Sequence, residues 1–317
     1  MMEDIAVAVS VAMGLFVVFF LTPRLIFLYC QAGIRRKNYL GHRITPALGP
    51  AIVLSWIPAV ICLPLCSGKF ASSFSGFGQA VFPPIVLALG LMAIGFLDDI
   101  FDENIRGYRG HFSSLMEGRL TAGMLKALWG TALTVLVVFN DGLLARNMYT
   151  ETVSPAAVLL LKAMAVLTVL FWANGLNFLD RRPGRALKVF LFLGLAISFW
   201  GLAARGVSTP VWGSRSLIHG GDISGPLTLM LPLLVIVLAL LPVDLGGKAM
   251  LGDAGSNPLG ALLGFYALLM LPPGGRLLFL FLGLMLNLIG ERVSISGVID
   301  GNRFLSFLDR LGCHAEK

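Results

Sequence analysis

From Ile5 to Tyr29 the chain carries a single charged side chain, Arg24. A bilayer's hydrocarbon core takes roughly 20 apolar residues in a helix, and a run of this length and purity has few other uses. Further apolar stretches follow at about residues 47–65, 80–97, 121–139, 155–176, 187–203, 226–242, 257–272 and 277–290. Only helices and closed barrels satisfy their backbone groups inside lipid. Barrel strands read as segments of about ten alternating residues, and these stretches are continuous instead. The sequence therefore predicts an all-α fold, a polytopic transmembrane helical bundle of about nine spans. Residues 1–317 read as one integral membrane domain, with 291–317 as a tail after the last span.

The composition is 57% hydrophobic and 13% charged, with mean hydropathy +0.85; soluble domains carry about 25% charged residues. The net charge of +7 could suggest a nucleic-acid partner, but the positions of the cations argue against one. With the N-terminus outside, seventeen Lys and Arg fall in inner segments and five in outer loops, which is the positive-inside pattern. The same count places the C-terminus in the cytoplasm. Glu3 and Asp4 stand where a signal peptide has its basic region, so the first span is expected to be retained. The cysteines Cys30, Cys62, Cys66 and Cys313 form no disulfide or metal framework, and Cys62 and Cys66 read as small apolar packing residues. Outer loops 66–79, 140–154 and 204–225 are rich in Gly, Ser and Thr, and His219 there reads as a solvated residue.

The polar residues gather at the inner ends of the spans, where ionisable groups are functional candidates by default. Asp98, Asp99 and Asp102 end the third span. Neighbouring aspartates repel unless a cation offsets them, so Mg2+ or nearby Arg and Lys are expected. Asn174, Asn177 and Asp180 recur every three residues and line one helical stripe. That stripe could bind polar substrate groups, complete a metal shell, or serve as interhelical amide glue. Arg181, Arg182, Arg185 and Lys188 follow, as an anion site or as positive-inside marking.

Gly252-Asp253-Ala254-Gly255-Ser256-Asn257-Pro258 opens the eighth span. Glycines permit close backbone approach, Ser256 or Asn257 can cap, and Pro258 suits a first helical turn. Free N–H groups at such a start would hold phosphate oxygens, with Asp253 beside them for a metal. An ordinary capped helix start is the plainer alternative. Gly260 and Gly264 form a GxxxG suited to helix packing. In the tail, apolar residues at 304, 305, 307, 308 and 311 follow helical spacing, so the tail either lies on the inner leaflet or packs beneath the bundle. Acids for Mg2+, a phosphate-binding helix start and cations on one face together suggest phosphoryl transfer between a membrane lipid and a soluble phosphate donor.

These motifs, in this order, resemble the polyprenyl-phosphate N-acetylhexosamine-1-phosphate transferase superfamily, glycosyltransferase family 4. The likeness covers most of the chain: Arg36-Lys37-Asn38-Tyr39 with Ile44 and Gly49, Asp98-Asp99, Leu120 to Lys126, Asn174-x-x-Asn177-x-x-Asp180, and Gly252 to Ser256. It implies that polyprenyl (undecaprenyl) phosphate attacks the sugar-linked phosphorus of a UDP-N-acetylhexosamine, releasing UMP, for cell-wall or envelope polysaccharide synthesis. The implied catalytic residues are Asp98, Asp99 and Asp180, with Asp253 as ligand for Mg2+, which Mn2+ could replace. The implied substrate-binding residues are Lys37, Lys126, Asn174, Asn177, Arg185, Gly252, Gly255 and Ser256. The implied partners are the lipid phosphate, the nucleotide-sugar donor and the bilayer, and an oligomer is compatible with them. The implied location is the plasma membrane, multi-pass, with the active face cytoplasmic.

Two departures accompany the likeness. Pro183 stands where the third motif has its second acid, and the region 291–317 lacks both a histidine cluster and a final span, His314 being near the end. They motivate a second reading, a relative that binds polyprenyl phosphate or a lipid-linked precursor without turnover. A transporter would instead place its acids at mid-depth, whereas these lie at span ends.

Overall fold

The computed structural model describes residues 2–66, 70–101, 122–140, 154–203 and 226–313. Asp102, Leu120, Thr121, His219 and His314, with most of the outer loops, lie outside these residues.

Every predicted span is a helix: α1 (Met2–Gln31), α2 (Leu48–Cys66), α3 (Phe70–Phe101), α4 (Ala122–Asn140), α5 (Pro155–Leu179), α6 (Arg185–Ala203), α7 (Pro226–Leu245), α8 (Asp253–Met270) and α9 (Pro273–Arg292). Two short helices, α10 (Ile295–Gly301) and α11 (Arg303–Arg310), complete the described tail. Among the described residues, eight helices are long and apolar enough to cross a membrane, so the chain is a multi-pass, all-α membrane protein. Its outer surface is correspondingly apolar, with Phe16 on α1 and Phe192 and Phe199 on α6 among the exposed side chains. Helix α3 starts at Phe70, well ahead of residue 80, and runs on through Pro83 and Pro84.

The remaining helix, α8, occupies the middle of the bundle, with every residue from Ala254 to Met270 buried. It packs against α2, α3, α5, α6, α7 and α9. A helix enclosed by other helices needs small residues for close contact more than it needs hydropathy. The GxxxG performs this role: a Cβ on Gly260 would collide with the carbonyl of Trp172 on α5, and one on Gly264 would lie 3.0 Å from the Val169 Cα. Opposite, Gly255 meets Gly49 of α2 backbone to backbone.

Several polar side chains inside the bundle find partners, as hydrocarbon requires, although among the described residues the buried hydroxyls of Ser55, Thr134 and Tyr266 do not. Trp172 stacks on Phe279 at 4.2 Å between centroids and donates its indole N–H to the Phe279 carbonyl at 2.9 Å. Trp56 donates to the Leu229 carbonyl at 3.0 Å. Asn174 donates to Asn287 Oδ1 at 2.6 Å, and Asn287 donates to the Phe171 and Gly283 carbonyls, each at 2.7 Å.

Between α1 and α2 the chain forms a short antiparallel hairpin, β1 (Arg36–Lys37) with β2 (Arg43–Ile44). Its turn is held by the Asn38 side chain, which accepts from the N–H groups of Leu40 and His42 at 3.0 and 2.9 Å. The strand leaving it is stitched to the segment before α8: Met250 N–H donates to Thr45 O at 2.9 Å and Gly49 N–H to Leu251 O at 3.1 Å. The hairpin is thereby fixed over the head of α8.

Candidate functional site

The head of α8 is where the separated polar motifs meet. Gly252 has φ +70, and a side chain there would press on Pro46 and on Asp99 Oδ2, 2.7 and 2.8 Å from its Cβ. Only glycine suits both the left-handed backbone and the space. Asp99, from the last turn of α3, accepts from Asp253 N–H and Ala254 N–H, both at 3.0 Å, and from Arg36 Nη1 at 2.9 Å. Its side chain is fully buried. An anion at a helix N-terminus is favoured by the exposed N–H groups and the helix dipole. Asp99, which stands at the negative C-terminal end of the α3 dipole, is therefore the cap of another helix. Asp180 adds a further bond, accepting from Gly252 N–H at 3.0 Å.

This arrangement corrects the expectation that α8 offers free N–H groups to a phosphate. Asp180 and Asp99 take those of Gly252, Asp253 and Ala254, while Gly255 and Ser256 donate to Gly252 O. Ser256 and Asn257 do not cap either. The Ser256 hydroxyl meets the Asn177 amide, and Asn257 donates to the Asp253 carbonyl at 2.7 Å. Gly255 serves contact with Gly49.

Beside the capped turn lies a half-buried cluster of charge. Lys126 of α4 contacts Asp253 and reaches Asp98 Oδ2 at 3.4 Å, and Arg36 lies 3.6 Å from Asp253 Oδ1. Asp98 and Asp253 thus share Lys126 as a counter-ion. With its amide oxygen accepting from Lys126 at 3.2 Å, Asn177 donates to Asp253 Oδ1 at 3.2 Å and to Ser256 Oγ at 2.9 Å. Lys126 and Arg36 are thus cations that the paired aspartates required. Burial pushes the Asp180 carboxyl well up, and the neighbouring Asp244, Asp253 and Asp99 push it the same way against the Gly252 N–H.

Among the described residues, Asp98, Asp99, Asp180 and Asp253 outnumber Arg36 and Lys126 at this site. A proton on Asp180 or a divalent cation would offset the excess negative charge. Among the described residues no three His, Cys, Asp or Glu side chains form a ready-made metal cage. Mg2+ ordinarily takes one or two carboxylates and completes its shell with water and phosphate. Asp98 and Asp253, 23 and 16% exposed, fit that requirement, with Asn177 oxygen as a neutral neighbour.

Three expected site residues lie elsewhere. Asn174 belongs to the amide link between α5 and α9 described above. Lys37 is exposed on the hairpin, and Arg36 reaches the cluster instead, since consecutive strand residues face opposite ways. Arg185 is corrected from donor grip to tail clamp. Its Nε and Nη2 donate to the two oxygens of Asp309 at 2.7 and 2.8 Å, and Nη1 donates to Ser296 Oγ at 3.1 Å.

The basic run around Arg185 serves the same clamp. Arg182 pairs with Asp300 at 2.6 Å, and Lys188 donates to the Asp309 carbonyl at 2.7 Å. Gly184, at φ +74, donates its N–H to Asp244 Oδ2 at 2.7 Å. The anions of this run are therefore the tail's own acids. Burial pushes the Asp309 carboxyl up, but the hydrogen bonds and charge of Arg185, with Arg182 and Lys188, outweigh it and hold the group below its ordinary value.

Asn287, Asp244 and Asp309 were not singled out in the sequence, and Arg36 stood there only within the Arg36-Lys37-Asn38-Tyr39 motif, without a site role of its own. Strand alternation across Asn38 to His42 could have found Arg36; nothing local marks the other three. No protein-family model matches the chain, and no curated protein is significantly similar to it. Fold and site define a polytopic helical membrane protein with a carboxylate and cation cluster at one end of its bundle.

Proposed function

We propose that the chain is a Mg2+-dependent phosphotransferase of the cytoplasmic face, moving a sugar-1-phosphate from a UDP-N-acetylhexosamine-type donor to polyprenyl phosphate. The observation that supports this reading is the convergence of Arg36, Asp98, Lys126, Asn177 and Asp253, drawn from five separate segments, around the capped head of a buried helix. The positive-inside count supports the cytoplasmic assignment.

In this reading an oxygen of the lipid phosphate attacks the sugar-linked phosphorus. The new P–O bond forms as the bond to the UMP phosphate breaks, and UMP departs with the bonding electrons. Asp253 would hold Mg2+, which when bound neutralises the donor diphosphate. Lys126 offsets charge on the departing phosphate, and Arg36 steers the anionic groups to the cluster. Asp98 orients the acceptor phosphate and takes its proton. Asp99 and Asp180 hold α8 so that Asp253 stays in place.

Pro183 at the second acid position and the commitment of Arg182 and Arg185 to the tail favour one alternative, a relative that binds the lipid phosphate without turnover. Purified protein with polyprenyl phosphate, Mg2+ and a panel of UDP-sugars distinguishes the two. UMP release that is lost in Asp253→Ala supports transfer. Lipid binding without release of any nucleotide, in folded protein, refutes transfer and supports the alternative.

A further inference from the structure

The tail is amphipathic with its polar side turned inward. Asp309 is buried against Arg185, whereas Phe304, Phe307, Leu308 and Leu311 are 68, 62, 42 and 55% exposed. Positions 304, 307, 308 and 311 share one face of α11, so the side directed away from the protein is the apolar one. A water-facing helix would show the reverse.

The covalent path fixes where that face lies. Helix α9 is membrane-spanning and ends at Arg292. Residues Val293 and Ser294 lead straight into α10, which at 1.5 Å per residue is about 10 Å long. Asn302 then caps α11, accepting from Phe304 N–H and Leu305 N–H at 3.0 and 3.1 Å. Arg182, Arg185 and Lys188, at the head of the spanning helix α6, pin α10 and α11 from the other side. The tail is therefore held at the level of two span ends. Arg303 and Arg310 are exposed and sit about a quarter-turn to one side of the apolar face. Cations flanking an apolar stripe at that depth complement anionic headgroups.

We infer that α11 is an interfacial helix, its Phe304, Phe307, Leu308 and Leu311 face seated in the anionic leaflet at the bundle's charged end while Asp309 clasps the bundle. The inference makes no use of the chemistry proposed for the cluster. Lipid is the occupant because the helix is tethered at the membrane surface and its flanking charge is positive.

The test uses full-length protein with its four cysteines replaced by Ala, in nanodiscs of phosphatidylcholine with or without phosphatidylglycerol. Spin labels are placed by Phe307→Cys, Leu311→Cys and Ser306→Cys, with Phe199→Cys as the lipid-facing control. Labels at 307 and 311 are expected to favour oxygen over a water-soluble nickel reagent as strongly as the label at 199, and the label at 306 is not. Phosphatidylglycerol deepens the first two, and Arg303→Gln with Arg310→Gln abolishes the added depth. Nickel access at 307 and 311 equal to that of an aqueous loop overturns the inference. So does exclusion of both reagents, which would mean a second copy or another protein covers the face. Depth that is indifferent to phosphatidylglycerol overturns the choice of anionic lipid.

Discussion

Replacing each of the adjacent acids Asp98 and Asp99 by Ala should separate a structural carboxylate from an accessible one. Asp99→Ala strands the N–H groups of Asp253 and Ala254 in a buried setting, at about 1–3 kcal/mol each. It also removes the anion at the α8 N-terminus and the partner of Arg36, while relieving the burial of one carboxylate. The expected net loss is about 3–5 kcal/mol, a large share of a typical ~5–15 kcal/mol. On soluble-protein scaling that lowers the melting temperature by about 5–8 °C. Asp98→Ala loses only a partly exposed ion pair at 3.4 Å, worth about 0–1 kcal/mol, and it also removes repulsion from Asp253. Thermal and SDS unfolding of the detergent-solubilised protein would measure both. Equal losses for the two variants, or Asp99→Ala within about 0.5 kcal/mol of the parent, would refute the capping role. Asp99→Asn, which retains one acceptor, should fall between.

The Arg185 and Asp309 side chains are 4 and 5% exposed, so removing either should cost about 3–5 kcal/mol of tail docking. A double-mutant cycle read by limited proteolysis should show strong coupling between them. Because the folded Asp309 carboxyl lies below its ordinary value of 3.8, its contribution is present above that pH and is lost as pH falls through the folded value. Hydrogen exchange in α11, corrected for intrinsic rates, should therefore quicken only below 3.8. Gly260→Ala drives a methyl into the Trp172 carbonyl and should cost at least ~1–3 kcal/mol, more than Gly264→Ala, whose Cβ clears the Val169 Cα by 3.0 Å; paired melting curves decide the order. Millimolar Mg2+ should raise the melting temperature of the parent but not of Asp253→Asn, since a ligand held at a hundred times its Kd stabilises by about 2.7 kcal/mol.

Eight of the long helices were legible because lipid imposes length and apolarity locally, residue by residue. The convergence of Asp99, Asp180 and Asp253 could be suspected from their shared membrane side. Their duties could not, because whether a carboxylate meets a metal or a backbone N–H depends on contacts across as many as 155 positions. Arg185 illustrates the same limit: a cation near a motif looks like a substrate grip until its partner, Asp309, is seen to come from the tail. Lys37 and Arg36 exchanged places through a two-residue strand too short to register as periodicity. The GxxxG of α8 was readable, since small residues at that spacing serve one purpose wherever they occur.

The enclosure of α8 bears on how the protein is made. Its opening Asp-Ala-Gly-Ser-Asn gives a translocon little reason to release it into lipid unaided, and its acid would enter last. Yet α2, α3, α5, α6 and α7 all precede it in the chain, so the walls of its socket emerge from the ribosome first. Insertion of this segment becomes a late act of assembly, with only the span α9 still to come, in which a preformed groove and the waiting Asp99 supply the welcome that oily side chains give the others.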